Sequence, residues 1–413
     1  MKLKTLPYAI GASILLSASI AHAGNISIES WREDAAIWND VIIPAFNAKH
    51  PDIKVTFVHT NATDYNDTLN KKLADGSAGD LITCRPFDDS LKLFQAGYLT
   101  DITELDGMGN FPNFAKAAWQ TDNGAQSFCL PMASVIHGFF YNKTIFKELG
   151  LTPPKTNAEF YSALDKVKAS GKYTPIAMGT NDKWEAATMG FQNIGPNYWK
   201  GEDGRLAVID GDEKLNAPQY VKVFEQLAKW GPYMGEGYQT RTYNDAIAMF
   251  GDQKAAIYPA GSWDIAAFNT KLDLGVFMPP VENTDDECYI SDHTDIGVGI
   301  NAKSANKKDA ETFLKWMTTG EFAAIYTNAL PGFFSLSNHF IDVDDPTAKA
   351  MIAWRDTCDS TIRNSYQILN RGEPSLELEI WETSVGVING TMTPKDAADR
   401  LQKGMDTWYK PGE

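Results

Sequence analysis

The chain has 413 residues, with 37 lysines and arginines against 53 aspartates and glutamates, which gives a formal net charge of −16 at pH 7. So acidic a chain, with its basic residues scattered, is not expected to bind nucleic acid or an anionic membrane surface. Its length is sufficient for two domains of ordinary size.

The N-terminus has the pattern of a secretory signal peptide. Lys2 and Lys4 precede an apolar run over 9–20, and Ala21-His22-Ala23 is a small-x-small cleavage site. No cysteine follows this site, so a lipid anchor is not expected, and no later run approaches the roughly 20 apolar residues that span a bilayer. The sequence therefore predicts a signal peptide over 1–23, cleaved after Ala23, and an exported, soluble protein without direct membrane insertion.

The first part of the mature chain alternates strand and helix patterns. Residues 25–31 alternate like a half-buried strand, and strand patterns return at 53–58 and 81–83. Helical patterns occupy the two intervals between these strands. This β-α-β-α-β order predicts a parallel sheet with helices on its faces.

Two later helices have clear start signals. Thr156 and Glu159 have the spacing of a capping box, and Gly171 stands where that helix should end. Thr393-Pro394 is an N-cap and N1 pair that begins a helix near the C-terminus. These signals predict structure and require no functional explanation.

The most informative stretch is 249–263, which ends in Gly261-Ser262-Trp263. It predicts a helix end, a tight turn, a short apolar strand and the start of another helix, which Gly261 and Ser262 would cap. The Trp263 indole would then lie at a strand end, where binding groups are common in open α/β sheets. A buried tryptophan that closes a helix–sheet contact is the alternative.

Three segments together resemble the family 1 extracellular solute-binding proteins of bacterial ABC sugar importers, the maltose-binding-protein-like family. Residues 250–263 are similar to the family pattern F-x-x-G-K-A-A-M-x-x-x-G-S-W, with Gln253 in the place of its glycine. Residues 129–143 resemble the crossing strand G-L-P…Y-N-K, and residues 153–160 match P-P-K-T-x-x-E-F. The order and spacing of these motifs carry the resemblance over nearly the whole mature chain.

The resemblance implies an α/β, two-lobe periplasmic binding protein fold of type II, with discontinuous lobes around a ligand cleft. The N-terminal lobe would comprise 24–138 plus 297–341, and the C-terminal lobe 139–296 plus 342–413. The implied function is a periplasmic carbohydrate-binding protein that delivers a mono- or oligosaccharide to an inner-membrane ABC permease. We expect a monomer with no cofactor, no metal and no catalysis.

Four cysteines are far apart, and their spacing does not suggest a metal site. In an oxidising compartment an even number favours disulfides, and four cysteines allow three pairings. Cys84 and Cys129 both end apolar, strand-like runs, which favours their pairing and leaves Cys288 with Cys358. Free thiols are the alternative.

Signals of catalysis are weak. The chain has no H-E-x-x-H pair, G-x-S-x-G elbow or Walker loop, and G-x-G-x-x-A at 297–302 lies within a strand pattern. A glycoside hydrolase needs two carboxylates across its cleft, and acidic pairs such as Asp88-Asp89 are also typical of a solvated surface. A secreted glycan-processing enzyme therefore remains an alternative, as does a binding protein for a polyamine, iron or a peptide.

A sugar site needs an aromatic plane for the apolar face of the ring and charged or amide groups for its hydroxyls. Such residues are expected on loops at strand ends that face the cleft. The candidates, placed partly by the resemblance, are Trp31, Glu33, Arg85, Asp88, His137, Trp184, Trp263 and Asp295.

Structural roles compete with these assignments. Trp31 could begin a helix core, and His137 could be a core histidine. Arg363 and Trp381 could also line the cleft, but a salt bridge and a helix core are the favoured interpretations for them.

Overall fold

The structure is a computed structural model that describes residues 24–62 and 64–411. The predicted signal peptide and its cleavage site lie outside the described residues. Within those two ranges, no helix is both long and apolar enough to cross a bilayer.

The strands form one mixed sheet with the order β2-β1-β3-β8-β4-β6-β5, to which β10 adds on β8 and β7 and β9 add on β4. The pairs β1–β2, β1–β3, β5–β6 and β8–β10 are parallel, and the remaining pairs are antiparallel. The strands are β1 (Gly24–Ser30), β2 (Ile53–His59), β3 (Leu81–Cys84), β4 (Leu130–Asn142), β5 (Thr174–Ile176), β6 (Ala255–Gly261), β7 (Leu274–Phe277), β8 (Tyr289–Ile300), β9 (Phe334–Ser335) and β10 (Asp359–Thr361).

Helices cover both faces of this sheet. The α-helices are α1 (Ala35–Ile37), α2 (Ile43–Asn47), α3 (Tyr65–Asp75), α4 (Asp88–Gln95), α5 (Asn113–Ala117), α6 (Lys143–Glu148), α7 (Asn157–Ser170), α8 (Gln192–Ile194), α9 (Pro196–Trp199), α10 (Gly201–Asp210), α11 (Pro218–Leu227), α12 (Tyr243–Gly251), α13 (Ile265–Phe268), α14 (Lys307–Met317), α15 (Gly320–Ala329), α16 (Pro346–Ile352), α17 (Leu376–Ile388) and α18 (Pro394–Met405). Wider π-type turns at Trp38–Ile42 and Ala186–Phe191 and short 3₁₀ turns at Met108–Asn110, Gly231–Tyr233, Ser262–Asp264, Ala353–Asp356 and Gln367–Asn370 complete the order.

The predicted local signals are present. Thr156 and Glu159 form the reciprocal capping box of α7, and Gly171 ends this helix in a left-handed conformation with φ 63°. Thr393 caps α18, with Pro394 at its first position. The β-α-β-α-β order at the start of the chain is confirmed, with β1 between β2 and β3.

The buried apolar residues form separate cores. The first core draws on residues 26–135 and 296–336, together with Tyr366. The other two lie on opposite faces of one part of the sheet, since successive residues of β4 point to different cores: Phe139 to the second and Phe140 to the third. This arrangement confirms the predicted α/β architecture.

Strands β4 and β8 run between these cores. The first half of β4 pairs antiparallel with β8, from Leu130↔Val298 to Ile136↔Asp292. Its second half pairs with β6 and β7, beginning at His137↔Gly261. Residues 297–300 of β8 continue into the first part of the sheet through β3. The change of partner at position 137 marks the junction between the two parts of the sheet.

Two disulfides join the predicted partners. Cys84, the last residue of β3, bonds Cys129, which directly precedes β4. Cys288, which precedes β8, bonds Cys358, which precedes β10. The first bond links β3 to the start of β4, with β8 between these two strands in the sheet, and the second links the starts of the neighbouring strands β8 and β10.

Gly261 is the N-cap residue of the Ser262–Asp264 turn, as predicted, but the predicted cap by Ser262 is wrong. Neither the Ser262–Asp264 turn nor α13 has a side-chain cap at its start. The Ser262 hydroxyl instead accepts a hydrogen bond from the Ile136 amide at 3.0 Å and donates to the Gly332 carbonyl. Ser262 thus ties the end of β6 to β4 and to the loop before β9, contacts that local spacing does not reveal.

The turn between α12 and β6 contains a strained residue. Gln253 has φ 60°, a left-handed conformation that favours glycine and that costs other residues about 1–2 kcal/mol. Gln253 stands where the motif of the resembled family has glycine, the residue that adopts this conformation without strain.

We expect Gln253→Gly to raise the free energy of unfolding by about 0.5–1 kcal/mol, because relief of the left-handed strain exceeds the added chain entropy of glycine. Gln253→Val should lower it, since a branched Cβ fits this conformation poorly. Chemical denaturation measures both. Gln95→Gly, at the exposed end of α4, is the matched control and should destabilise; destabilisation by Gln253→Gly as well would contradict this account.

Candidate functional site

Trp31 and Arg85 lie together where β1 and β3 end. The Arg85 guanidinium lies 4.5 Å from the centre of the Trp31 ring, and Tyr65 meets the same ring edge-on at 5.2 Å. Trp31 is only 6% exposed. Arg85 is held in turn by the Asn66 amide oxygen at 2.9 Å and the Ala62 carbonyl at 3.1 Å. The arginine therefore covers one face of this indole.

Glu33 and Asp88 lie apart from this pair. The Glu33 side chain is 73% exposed and lies 3.3 Å from His59. Asp88 is buried at the start of α4, where Arg371 donates to its Oδ1 at 2.7 Å. Burial raises the pKa of Asp88, against the opposing effect of the Arg371 hydrogen bond. Arg371 also binds Asp122 with its two terminal nitrogens, at 2.9 and 2.7 Å.

Asp295 lies on β8, half-buried and within electrostatic range of Arg32. Burial works against the charge of Arg32, but Asp34, Tyr326 and Asp295 raise its pKa above the usual value. The Arg32 guanidinium stacks 4.1 Å above the Phe333 ring and donates to Asp34 at 3.1 Å. Arg32 was not among the predicted site residues, although it stands between Trp31 and Glu33 in the sequence.

His137 is fully buried in a chain of ring nitrogens at the junction of β4 and β8. Its Nδ1 lies 3.0 Å from the Thr188 carbonyl, and its Nε2 lies 2.9 Å from His293 Nε2. Arg363 donates to that same His293 nitrogen at 3.1 Å. Burial, followed by the positive charge of Arg363, lowers the pKa of both histidines well below 6.5. The Trp263 ring meets His137 edge-on at 5.2 Å.

The indole of Trp263 folds back over the end of its own strand. A Cβ at Gly261 would lie 1.8 Å from Trp263 Cζ3, so only glycine leaves room for this ring. Half-buried, Trp263 packs against both the first and the third core. Gly261 is thus required by the close approach of the tryptophan and has an ordinary φ of −111°.

Trp184 and Trp263 share one neighbour, Tyr243, the first residue of α12. The Trp263 Nε1–H donates to the Tyr243 hydroxyl at 3.2 Å. Trp184 meets the Tyr243 ring edge-on at 4.8 Å. Tyr243, which belongs to none of the motifs recognised in the sequence, therefore links the two predicted aromatic residues Trp184 and Trp263.

Two buried carboxyl groups lie beneath these rings. Asp264 accepts hydrogen bonds from Tyr243 and, at 2.9 Å, from Tyr258, yet burial raises its pKa to about 7. Burial, and then the charge of Asp182, raise the pKa of Glu185 to about 9. Glu185 is 0% exposed, and neither of its carboxyl oxygens has a hydrogen-bond partner among the described residues. Both acids therefore favour the protonated form more than exposed carboxyl groups do.

A narrow gap, too small to hold a water molecule, adjoins the His137–Thr188 contact. Arg363 and Trp381 line it, although the sequence favoured structural roles for both. Burial raises the pKa of Glu377 in its wall, while Arg363 lowers it. The lining residues are Ala187, Thr188, Gln192, Arg363, Ser365, Glu377, Ile380 and Trp381.

A surface groove of about 450 Å³ lies elsewhere, between β7 and α16, and is lined by none of the predicted site residues. Among residues 24–62 and 64–411, no group of three or more metal-ligating side chains is placed to hold an ion. The junction region instead combines indoles, guanidinium groups and carboxyl groups, the chemistry that suits a neutral hydroxylated ligand.

We expect Glu185→Gln to make the protein less sensitive to alkaline pH. Because the folded pKa of Glu185 lies above its ordinary value, stability is full below about pH 4.5 and falls as the pH rises towards 9. The amide does not ionise, so the variant should exceed the wild type by more than about 1 kcal/mol at pH 8 and by little at pH 4.5. Urea denaturation at both values measures this difference. Glu236→Gln, at an exposed site, should follow the wild type; the same profile for both variants would refute the assignment.

Comparisons with known proteins identify the family of the chain and proteins that share its fold. A sequence model of the family described as bacterial extracellular solute-binding protein matches residues 29–323. The multiple sugar-binding protein of Streptococcus mutans serotype c is 28% identical over 291 residues, 67% of each chain. Other curated relatives are matched over about half to two thirds of their own length.

Solved structures share the fold. The bacterial solute receptor AcbH, described with an exclusive preference for b-D-galactopyranose, superposes with a TM-score of 0.80 at 20% identity, over 94% of this chain and 100% of its own. RafE in complex with raffinose gives 0.76 at 20% identity, over 93% and 99%. With the family model covering most of the sequence and the two-lobe fold shared throughout, the chain belongs to the bacterial extracellular solute-binding protein family.

Proposed function

We propose that this protein is a periplasmic carbohydrate-binding protein that delivers a mono- or oligosaccharide to the permease of an ABC importer. The observation that carries the proposal is a pair of partly exposed indoles near the junction. Trp184 and Trp263 both contact Tyr243, which fixes their positions. The sugar specificity described for the multiple sugar-binding protein and for RafE supports the same ligand class.

The chemistry of the junction fits a pyranose. An indole face covers the apolar C–H face of the ring, and planar guanidinium groups donate two hydrogen bonds to neighbouring hydroxyls. Arg32 and Arg363 each use Nε for a protein contact, to Asp34 and His293 respectively. Their terminal nitrogens make no side-chain bond within the described residues, so these are the donors we assign to the sugar.

We propose the lobe boundaries 24–138 plus 297–341 and 139–296 plus 342–413. Membership of the cores supports this division, because the first core draws almost entirely on the first set of residues. Arg371 then belongs to one lobe, and its partners Asp88 and Asp122 belong to the other. A sugar that contacts both lobes would favour the closed state by its differential affinity, and the permease would recognise that state.

The same proposal includes export with cleavage after Ala23, a monomeric state and no catalysis. The chain's family is extracellular, and a solute-binding role requires no chemical step. Hydrolysis of nitrophenyl glycosides by the purified protein would contradict the last point.

We expect one class of carbohydrate to stabilise the purified protein. A ligand that binds only the folded state adds about 2.7 kcal/mol at 100 times its dissociation constant. A thermal-shift screen over mono-, di- and oligosaccharides measures this effect, with polyamines, iron and peptides as the control ligands. A shift with a control ligand and none with any carbohydrate would contradict the proposal.

We expect Trp263→Ala to weaken binding of that carbohydrate by tenfold or more, which corresponds to about 1.4 kcal/mol, because the stacking plane is lost. Unfolding should remain cooperative. Trp408→Ala removes a half-buried indole in the turn that follows α18 and is the matched control. Calorimetric titration of both variants tests the assignment, and equal affinities would exclude stacking on Trp263.

A further inference from the structure

The two indoles of the proposed site depend on a chain of hydrogen bonds behind them. Trp263 donates to the Tyr243 hydroxyl at 3.2 Å, and that hydroxyl donates to Asp264 Oδ1. Tyr258 donates to the other carboxylate oxygen at 2.9 Å. Asp264 is only 3% exposed and Tyr258 is fully buried, so this chain lies beneath the site.

Tyr243 is itself fixed at the backbone. It follows Thr242, whose capping box with Asp245 starts α12. Its amide donates to Asp182 Oδ2 at 2.7 Å, in the same loop as Trp184. Its ring meets Trp184 edge-on at 4.8 Å. One residue therefore holds the ring of one indole and the ring nitrogen of the other.

We infer that Tyr243 and Asp264 are positioning residues that hold Trp184 and Trp263 in the geometry required for stacking on a sugar ring, with Tyr258 as a structural support of Asp264. The inference rests on the proposed carbohydrate site and names residues that set its affinity. Neither residue was among the site candidates that the sequence supplied.

The hydroxyl of Tyr243 has to act as both acceptor and donor. It accepts from Trp263 and has a single proton to give, so the arrangement is complete only when Asp264 accepts that proton. An ionised Asp264 accepts from Tyr243 and Tyr258 together. A protonated Asp264 must use one oxygen as a donor, which leaves one tyrosine proton without its carboxylate acceptor.

This requirement makes the position of Trp263 depend on pH. Asp264 faces Tyr243, Tyr258, the carboxyl group of Glu185 and the charge of Arg32. Burial raises its pKa to about 7, and the tyrosines and Arg32 oppose that effect. The complete hydrogen-bond chain should therefore form as the pH rises through 7. His137 and His293 change their charge well below this range.

The first test needs no ligand. In ¹⁵N-tryptophan-labelled protein, the Trp263 Nε1–H resonance, assigned with Trp263→Phe, should shift with a midpoint near pH 7. Asp264→Asn should abolish this titration, because the amide permanently presents one donor and one acceptor. A Trp263 resonance that does not titrate in the wild type, or that titrates equally in Asp264→Asn, would overturn the inference regardless of what the protein binds.

The second test uses a carbohydrate that stabilises the wild type. At pH 8, Tyr243→Phe should weaken its binding at least fivefold, since the ring and its Trp184 contact remain but Trp263 loses its acceptor. Tyr258→Phe removes a hydroxyl from the same carboxylate without touching either indole, and should change affinity less than twofold. Equal effects of the two variants would show a general loss of stability and would refute the positioning role.

The pH profile separates positioning from stability. Wild-type affinity should fall between pH 8 and pH 6, while Asp264→Asn should stay at the low affinity throughout. If no carbohydrate binds the wild type, the proposed function fails, and the resonance experiment still decides whether Tyr243 and Asp264 hold Trp263.

Discussion

The antiparallel pairing of β4 with β8 is the constraint on which the rest of the structure depends. Both strands run from the first core into the part of the sheet that carries the other two. At His137, β4 exchanges β8 for β6 as its partner, and the end of β6 supplies Gly261, Ser262 and Trp263. A shift of this register by one residue would turn every side chain to the opposite face and separate the indole from the junction.

Close packing at the junction around His137 explains the roles of several residues whose sequence context suggests other functions. Ser262 bonds β4 and the loop before β9 instead of capping a helix. Gly261 leaves space for an indole. His137 on β4 contacts His293 on β8, and Arg363 donates a hydrogen bond to His293. A later segment of the chain is therefore bonded to the paired strands at this point. The junction is therefore held by side chains as well as by the sheet.

Local patterns predicted much of the fold. The capping box at Thr156, the Thr393-Pro394 start and the early strands each depend on neighbours within a few residues, and all are present. The disulfide pairing was also predicted correctly, although Cys129 precedes a strand instead of ending one. The site was less predictable, since Arg85 covers a face of Trp31 and Arg371 holds Asp88 from almost 300 positions away. Contacts at such separations leave no periodic signal.

Apolar periodicity, caps and a short motif were enough to predict an α/β fold, the order of the early strands and a tryptophan at the end of β6, because each of these depends on residues close together in the chain. How that tryptophan is held depends on tertiary contacts. Tyr243 lies twenty residues before Trp263, and Tyr258 and Asp264 flank it, but no spacing rule joins their hydroxyl and carboxyl groups. Burial brings them together, and burial also raises the pKa of Asp264 to about 7, since desolvation acts only on the folded chain.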